Sequence, residues 1–455
     1  MAWIRDFIMW QGSESSYSVF RKPIFSYLHP MKNNNRRRFL QTFGTGIVGS
    51  LVLPNLAIGN NSSSPSLDFS HPQTGTDEAF WELVKTQFLL APELRYFNNA
   101  SLGASPIYVQ RHTQTCRELL DGFPSKYMGG GWKDEKEHTR QMVADLLKVS
   151  NEEIALIHNT TEGMNLIARS FDLQPDDEII LADHEHTSGR VCWEVFQETK
   201  GVKLVRPTLP ILPNSVEEIV EVYRKAITPK TKIISMCHIV NTNGMILPVK
   251  EVSKMAHEQG ILVAVDGAQS AGMFEIDLHD LGCDFYTASA HKWLFAPKGI
   301  GIFYAKEESQ HYLKPLIVCR GHTDTSIRRL ENYNTRNLPE LLGLGAAIEF
   351  CNQIGMDKIH QRSYELKNYF RSKFEGNPTF KLKTPASDDL SAAIQVVEVV
   401  GQNVRDVKER LSEEFNIDCR PMSTFGLNAL RISLSIYMTK ADIDYLASTL
   451  ISFAK

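Results

Sequence analysis

The sequence predicts an α/β fold in which a doubly wound, mainly parallel sheet forms a large domain and a smaller α+β domain follows it. Between residues 154 and 304, short apolar runs end in polar residues and alternate with helical patterns, as in parallel sheets covered by helices on both faces. Two of these runs, 261–265 and 285–288, are continuously apolar, as buried parallel strands are. Beyond Tyr304 the pattern changes to irregular polar segments, helices and strands, which indicates a second architecture.

Length and composition are those of a globular protein with room for two domains. The chain has 455 residues, of which 42% are hydrophobic and 22% charged, and this excludes a disordered or fibrous protein for most of its length. A formal net charge of -4 gives no electrostatic reason to expect nucleic acid as a partner. The seven cysteines are widely spaced and form no CxxC pair, so we interpret them mostly as buried thiols and expect no metal site.

The amino-terminal extension, residues 1–59, contains a segment that is typical of an export signal. The segment 31–59 starts at a methionine, includes three consecutive arginines at 36–38 and continues into a short, glycine-rich, moderately apolar stretch. We interpret it as a twin-arginine signal, and the alternative is a basic patch beside an apolar tail. The expectation is an exported protein, or a cytoplasmic one if the signal is not used, with no stable membrane span beyond this segment. Residues 60–75 are rich in Ser, Asn and Pro and are predicted to be a linker.

The next segment, 76–97, is predicted to pack against the smaller domain. Apolar residues at helical spacing predict a helix over 79–90, and a short strand over 95–97 follows. The strand leads into the 98–103 loop, whose small and polar residues allow a ligand to approach the backbone closely, although an ordinary connecting loop has the same composition. We expect the large domain to span 98–340.

Polar residues stand at the carboxyl ends of the predicted strands of the large domain. The strand over 154–158 runs into Thr160 and Thr161, either of which can cap the helix that follows. Such a helix start attracts anions, although most caps of this kind bind only their own helix. The strand over 178–182 ends close to His186, which we interpret as an aromatic ring for stacking on a planar cofactor rather than as a metal ligand.

An acid and a lysine follow the two most apolar strands. The run 261–265 ends in Asp266, and the run 285–288 is followed closely by Lys292. Because ligands of open α/β sheets bind at the carboxyl ends of the strands, the two side chains are expected at one site. Pyridoxal phosphate (PLP) needs this pair, a lysine for the Schiff base and a carboxylate for the pyridinium nitrogen. A dinucleotide-dependent oxidoreductase is disfavoured, since no Gly-x-Gly-x-x-Gly turn follows any of these strands.

The end of the chain, 341–455, is predicted to form the smaller α+β domain. Two helical patterns and two strands are followed by an amphipathic helix, and a final helix opens at Thr439. Between the last two helices, short strands are predicted over 417–420 and 429–434, and Arg431 lies inside the second of them.

With these motifs in this order, the chain resembles the class V aminotransferase family of fold type I PLP enzymes, which includes isopenicillin N epimerase and the cysteine desulfurases. The resemblance covers about residue 76 to the carboxyl terminus. It implies that Lys292 carries the Schiff base, that Asp266 keeps the pyridine nitrogen protonated and that His186 stacks on the ring. Arg431 would form a bidentate pair with the substrate carboxylate.

The same resemblance implies a full set of binding residues and a homodimer with shared active sites. The implied cofactor-binding residues are Thr160, Thr161, His186, Asn241, Asp266, Gln269, Ser289, His291, Lys292 and Thr335. Of these, Gln269 would touch the phenolic oxygen, and Thr335 would reach the phosphate bound by the partner subunit. Asn99 and Arg420 are further candidates for binding the amino-acid substrate.

The reaction type stays open between several alternatives. The expected activity is aminotransferase- or epimerase-like, through a Schiff base and a quinonoid intermediate, and the alternative is a carbon-sulfur lyase or cysteine desulfurase-like activity. Desulfurases carry a cysteine in a loop shortly after an arginine, but residues 421–426, which follow Arg420, contain none, so we disfavour desulfuration. The alternative from another class is a non-catalytic exported binding protein that keeps the fold, and the intact Lys292 and Asp266 argue against it.

Overall fold

The computed structural model describes residues 78–453, which belong to one compact unit, Pro65–Lys455. The predicted export segment at 31–59 and the predicted linker at 60–75 lie outside the described residues. Between residues 78 and 453, the structure contains no helix that is long and apolar enough to cross a membrane.

The secondary structure of the described part alternates between strands and helices up to residue 305. The strands are β1 (Arg95–Tyr96), β2 (Ile154–Ile157), β3 (Glu178–Leu181), β4 (Lys203–Val205), β5 (Thr231–Cys237), β6 (Leu262–Asp266), β7 (Phe285–Ser289), β8 (Gly301–Ala305), β9 (Phe380–Leu382), β10 (Ile394–Val399), β11 (Ile417–Asp418), β12 (Arg420–Met422) and β13 (Ala429–Ser433). The helices are α1 (Glu78–Thr86), α2 (Ile107–Gly122), α3 (Lys133–Leu147), α4 (Thr160–Ser170), α5 (Thr187–Lys200), α6 (Val216–Ala226), α7 (Val249–His257), α8 (Leu278–Leu281), α9 (Leu338–Ile354), α10 (Met356–Ser372), α11 (Val404–Phe415) and α12 (Lys440–Phe453), with short 3-10 and π turns between some of them.

A seven-stranded sheet forms the centre of the large domain. The strand order is β2, β8, β7, β6, β5, β3, β4, and all neighbours are parallel except the two pairs that involve β8. Because β8 runs antiparallel to both β2 and β7, the carboxyl ends of the other six strands lie at one edge of the sheet. The strands β6 and β7 are almost wholly buried, as their continuous apolar runs require. The predicted α/β fold with a mainly parallel sheet is thus confirmed.

A second, antiparallel sheet lies in the carboxyl-terminal part, in the order β12, β13, β10, β9. The short strand β1 pairs in parallel with β11, so the segment that precedes the 98–103 loop is bonded to this part of the chain. The predicted domain boundary between residues 340 and 341 falls inside α9, which packs against α2 and α3. The domain limits stay a prediction.

Two local expectations differ from the structure. The cap of α4 is neither Thr160 nor Thr161 but Asn159, whose side chain accepts a hydrogen bond from the backbone N–H of Glu162 at 3.0 Å. Thr160 opens the helix, where its hydroxyl contacts Ser289 instead. The first helix ends at Thr86, before the predicted residue 90, because the next residues leave the helix to bond the chain at the start of α2.

Candidate active site

A cavity of about 240 Å³ lies at the carboxyl edge of the large sheet, against the strands β12 and β13. All but two of the predicted site residues line it. Those present are Thr160, Thr161, His186, Asn241, Asp266, Gln269, Ser289, His291, Lys292, Arg420 and Arg431. Asn99 and Thr335 do not line this cavity.

The lysine follows β7 in a turn that the 98–103 loop holds in place. The side-chain amide of Asn99 donates a hydrogen bond to the carbonyl oxygen of Lys292 at 3.3 Å, and its oxygen accepts one from the hydroxyl of Tyr437 at 3.0 Å. The backbone N–H of Gly103 donates to the carbonyl oxygen of His291 at 3.1 Å. A Cβ atom at Gly103 would lie only 2.5 Å from that oxygen, so the loop can approach the lysine turn only with glycine there. Asn99 therefore positions the lysine backbone.

The amine of Lys292 forms no hydrogen bond or ion pair with any residue from 78 to 453. Burial lowers its pKa to about 8; Asp266 opposes this effect, while Arg431 and Arg420 add to it. A substantial fraction of the amine is then neutral near pH 8. A neutral, buried amine is the form of lysine that acts as a nucleophile or base.

The acid at the end of β6 has a second acid beside it. Asp266 is buried, and one carboxylate oxygen accepts a hydrogen bond from the backbone N–H of Ala268 at 2.9 Å. Glu185 is also buried; its Oε1 accepts from the backbone N–H of Cys237 at 2.9 Å, whereas its Oε2 has no hydrogen-bond partner between residues 78 and 453. Burial, and then Asp266, raise the pKa of Glu185 to about 8. Both acids face Gly189, where a Cβ atom would lie 3.3 Å from Oδ2 of Asp266 and 3.8 Å from Oε2 of Glu185.

One end of the cavity is suited to an anion. The hydroxyls of Thr160 and Ser289 lie 2.8 Å apart, and Thr161 lines the wall beside them at the start of α4. Nδ1 of His291 is buried and has no hydrogen-bond partner in the described residues. Burial, with lysine charges nearby, lowers the pKa of this histidine to about 4. Hydroxyls, the N–H groups at a helix start and a neutral imidazole together form a binding site for a phosphate group.

The middle of the cavity is bordered by an imidazole and an amide. His186 caps α5 through its Nδ1, which accepts from the backbone N–H of Ser188 at 3.2 Å and so fixes the ring. The amide of Gln269 accepts from Nε1 of Trp293 at 2.9 Å and donates to the carbonyl oxygen of Ala100 at 2.9 Å. These bonds leave Gln269 one N–H for a ligand.

Two arginines of the small sheet also line the cavity. Arg431 donates to the carbonyl oxygen of Asn241 at 3.0 Å, to the hydroxyl of Ser101 at 2.6 Å and to the side-chain oxygen of Asn98 at 3.3 Å. Arg420 donates to the same hydroxyl of Ser101 at 3.4 Å. Burial, and then Arg420, lower the pKa of Arg431 to about 9.

The structure also locates the remaining candidates. Thr335 is exposed and lies apart from this cavity, so its proposed contact with a partner's phosphate requires a second copy of the chain and stays a prediction. The loop between β12 and β13 contains no cysteine. Cys419 lies buried between β11 and β12, and burial raises the pKa of its thiol to about 12.

These residues fit PLP. In the part of the chain that the structure describes, Nδ1 of His291 has no hydrogen-bond partner. This imidazole borders the same cavity as the hydroxyls of Thr160 and Ser289, the amine of Lys292 and the carboxylate of Asp266. Ser101 and Glu185 belong to the site but were not predicted as site residues. Both residues lie in polar stretches next to predicted strand ends. This position is the one signal in the sequence that could have identified them as site residues.

Comparisons with known proteins agree with this chemistry. The profile of the family described as aminotransferase class-V matches residues 126–446. The chain is 31% identical over 389 residues to isopenicillin N epimerase of Streptomyces clavuligerus, across 82% of this chain and 98% of that protein. It is 29% identical over 394 residues to a probable cysteine desulfurase of Halalkalibacterium halodurans, across 78% and 92%. The crystal structure of the cysteine desulfurase CsdA from Escherichia coli matches with a TM-score of 0.71 and 26% identity, across 82% and 98%.

Proposed function

Because the chain belongs to the class V aminotransferase family of PLP-dependent enzymes, we propose that it removes the α-proton of an amino acid in an epimerase- or aminotransferase-like reaction. PLP, when bound, supplies the electron sink for the electrons that remain on the α-carbon. In this chain Asp266 would hold the ring nitrogen, Lys292 the aldehyde carbon, and His291 with the hydroxyls at the start of α4 the phosphate.

One observation carries this proposal: the amine of Lys292 has no partner in the described part of the chain and borders the same cavity as Asp266 and Arg431. The substrate's α-carboxylate would bind Arg431, whose planar guanidinium suits two parallel hydrogen bonds. This contact would direct the α-proton toward Nζ of Lys292. With a pKa of about 8, the amine is able both to take the proton and to return it.

The cysteines of the site region favour this reaction class over sulfur transfer to the enzyme. A desulfurase needs an accessible thiolate to receive sulfur, but the cavity is lined by no cysteine in the part of the chain that the structure describes. Cys192 and Cys237 are buried near Asp266 and Glu185, and burial raises the pKa of both thiols. A carbon-sulfur β-elimination needs no enzyme thiol, since Lys292 is able to take the proton, and it is the second candidate.

Exchange of the α-proton with solvent tests the proposal. The PLP-loaded enzyme is incubated with L- and D-amino acids in deuterated water, and loss of the α-proton signal is followed by NMR. We expect exchange with some amino acids and none in Lys292→Ala. The product identifies the reaction: epimerisation gives the opposite configuration at Cα, and transamination gives a keto acid. Elimination from cysteine gives pyruvate and sulfide. Absence of exchange from every amino acid tested would favour a non-catalytic binding protein.

We further propose that the protein is exported through its 31–59 segment and acts as a homodimer. The arginine triplet at 36–38 supports the first proposal, and a fusion of 1–59 to a reporter that needs export, with two of these arginines changed to lysine as control, tests it. The exposed position of Thr335, apart from the cavity of its own chain, supports the second, and light scattering of the purified protein measures the mass. A monomeric mass would exclude a shared site.

A further inference from the structure

The two arginines of the site lie next to each other on neighbouring strands. Arg420 on β12 and Arg431 on β13 are directly opposite in register, so their side chains extend from the same face of the small sheet. Both reach the hydroxyl of Ser101, Arg431 at 2.6 Å and Arg420 at 3.4 Å. The two guanidinium groups are therefore close neighbours at the cavity wall.

No acid of the chain neutralises either arginine in the described residues. Within residues 78–453, the partners of Arg431 are a carbonyl oxygen, an amide oxygen and a hydroxyl, and its buried Nε has no hydrogen-bond partner. Among the described residues, the one hydrogen-bond partner of Arg420 is the hydroxyl of Ser101, at 3.4 Å. Two neighbouring cations without an acid repel each other, which destabilises the free enzyme and favours any anion that binds between or beside them.

Elsewhere the same chain pairs its buried arginines with acids. Arg140 lies 2.7 Å from Glu331, and Arg362 lies 2.9 Å from Glu78 with a further glutamate on its other side. The missing acid at Arg420 and Arg431 is therefore a property of this site, which suggests that the ligand brings the negative charge.

The charges of the cavity indicate more than one ligand carboxylate. Asp266 is the one acidic side chain among residues 78–453 that lines it, and the ring nitrogen of the cofactor would pair with it. The buried and anchored Arg431 is sufficient for the α-carboxylate. Arg420 is exposed and held by a single long hydrogen bond, so its guanidinium is free to follow a group further along the substrate.

On the basis of the function proposed above, we propose that the preferred substrates are acidic amino acids, whose second carboxylate binds Arg420 while the α-carboxylate binds Arg431. A carboxylate matches the planar guanidinium better than other side-chain groups do, because it accepts two parallel hydrogen bonds. The alternative is a single α-carboxylate shared by both arginines.

Pairs of amino acids that differ in charge but hardly in size test this assignment. L-Glutamate with L-glutamine and L-aspartate with L-asparagine, and the same pairs of D-amino acids, are titrated into the PLP-loaded enzyme. The visible absorbance of the bound PLP reports the Kd of each amino acid. We expect at least one acid to bind about tenfold or more tightly than its amide, as a charged hydrogen-bonded pair provides. In Arg420→Gln the acid loses this advantage and the ratio falls to near one, while Arg420→Lys keeps part of it.

The variants separate the two arrangements. If Arg420→Gln weakens the acid and its amide by the same factor, Arg420 acts on the α-carboxylate that both share, and the proposal is wrong. Equal affinities of acid and amide in the unchanged enzyme would also overturn the proposal. So would a change in the absorbance of bound PLP with neutral amino acids alone. Arg405→Gln, at an exposed arginine of α11, is the matched control and should leave the ratio as it is. If no amino acid alters the absorbance or exchanges its α-proton, the proposed function itself fails, and this inference fails with it.

Discussion

Glu185 provides a test of the electrostatics behind Asp266. Its carboxyl is buried, and its pKa rises from an ordinary value of 4.5 to about 8, because burial and then the charge of Asp266 disfavour ionisation. In the unfolded chain the same group ionises above pH 4.5. The unfolded state is therefore stabilised relative to the folded state as the pH rises through this window, and the protein loses stability.

The size of this loss follows from the two pKa values. Each pH unit between them costs about 1.4 kcal/mol, so Glu185 lowers the free energy of unfolding by about 4 kcal/mol at pH 7.5 relative to pH 4.5. Glu185→Gln removes the ionisation but keeps an oxygen that accepts the hydrogen bond from Cys237. We expect the stability of the variant relative to the unchanged protein to increase as the pH rises, whatever constant cost the amide adds.

Urea unfolding of both proteins at pH 5, 6, 7 and 8, without PLP so that cofactor binding does not contribute, measures this difference. The difference in free energy of unfolding between variant and unchanged protein should increase with pH across this range. Glu198→Gln, at an exposed position on α5, is the control, since water solvates that carboxyl in both states. A difference for Glu185→Gln that is independent of pH would refute the argument and show that this carboxyl ionises normally in the folded protein.

Three further predictions concern the lysine turn and a buried ion pair. Gly103→Ala should lower the melting temperature and the PLP content, because its Cβ would meet the carbonyl oxygens of His291 and Lys292. Gly122→Ala is the control and should leave both unchanged, since a Cβ there meets no described atom within 4 Å; equal effects of the two variants would contradict this. The rate at which PLP-free protein takes up PLP should increase between pH 7 and 9 with a midpoint near 8, because burial lowers the pKa of the Lys292 amine to about 8. Stopped-flow absorbance measures this rate, and a midpoint near 10.5 would show that the pKa of the amine is not lowered. Glu331→Gln should lower the free energy of unfolding by about 3–5 kcal/mol in urea, because it leaves the buried Arg140 without its acid, and a loss below about 1 kcal/mol would contradict this.

The parts of the fold and site that the sequence predicts well are those that depend on neighbours along the chain. Asp266 and Lys292 each follow a continuous apolar run, so their place at the sheet edge could be read directly. The strand predicted over 178–182 is found at Glu178–Leu181, because its apolar run and the polar residues that end it are both local. Local features did not decide the cap of α4, since Asn159 and the two threonines after it are all good caps.

What could not be predicted depends on residues that are distant in sequence. Ser101 matters because it contacts Arg431, 330 residues away, and Arg420 faces Arg431 only through the register of β12 and β13. The raised pKa of Glu185 comes from its burial at the polar end of a strand. The polar composition of this stretch predicts exposure instead.

The 98–103 loop connects the cofactor end of the site to its substrate end. Asn99 bonds the carbonyl oxygen of Lys292, and two residues later Ser101 bonds Arg431. The backbone N–H of Ala100, between them, donates to the hydroxyl of Ser433 on β13. One loop thus fixes the base and the carboxylate-binding group relative to each other, so a shift of the small sheet against the large one would move the substrate carboxylate relative to the lysine. Because proton transfer requires the α-carbon within reach of Nζ, a substitution of Ser101, which contacts Arg431, should affect turnover more than PLP binding.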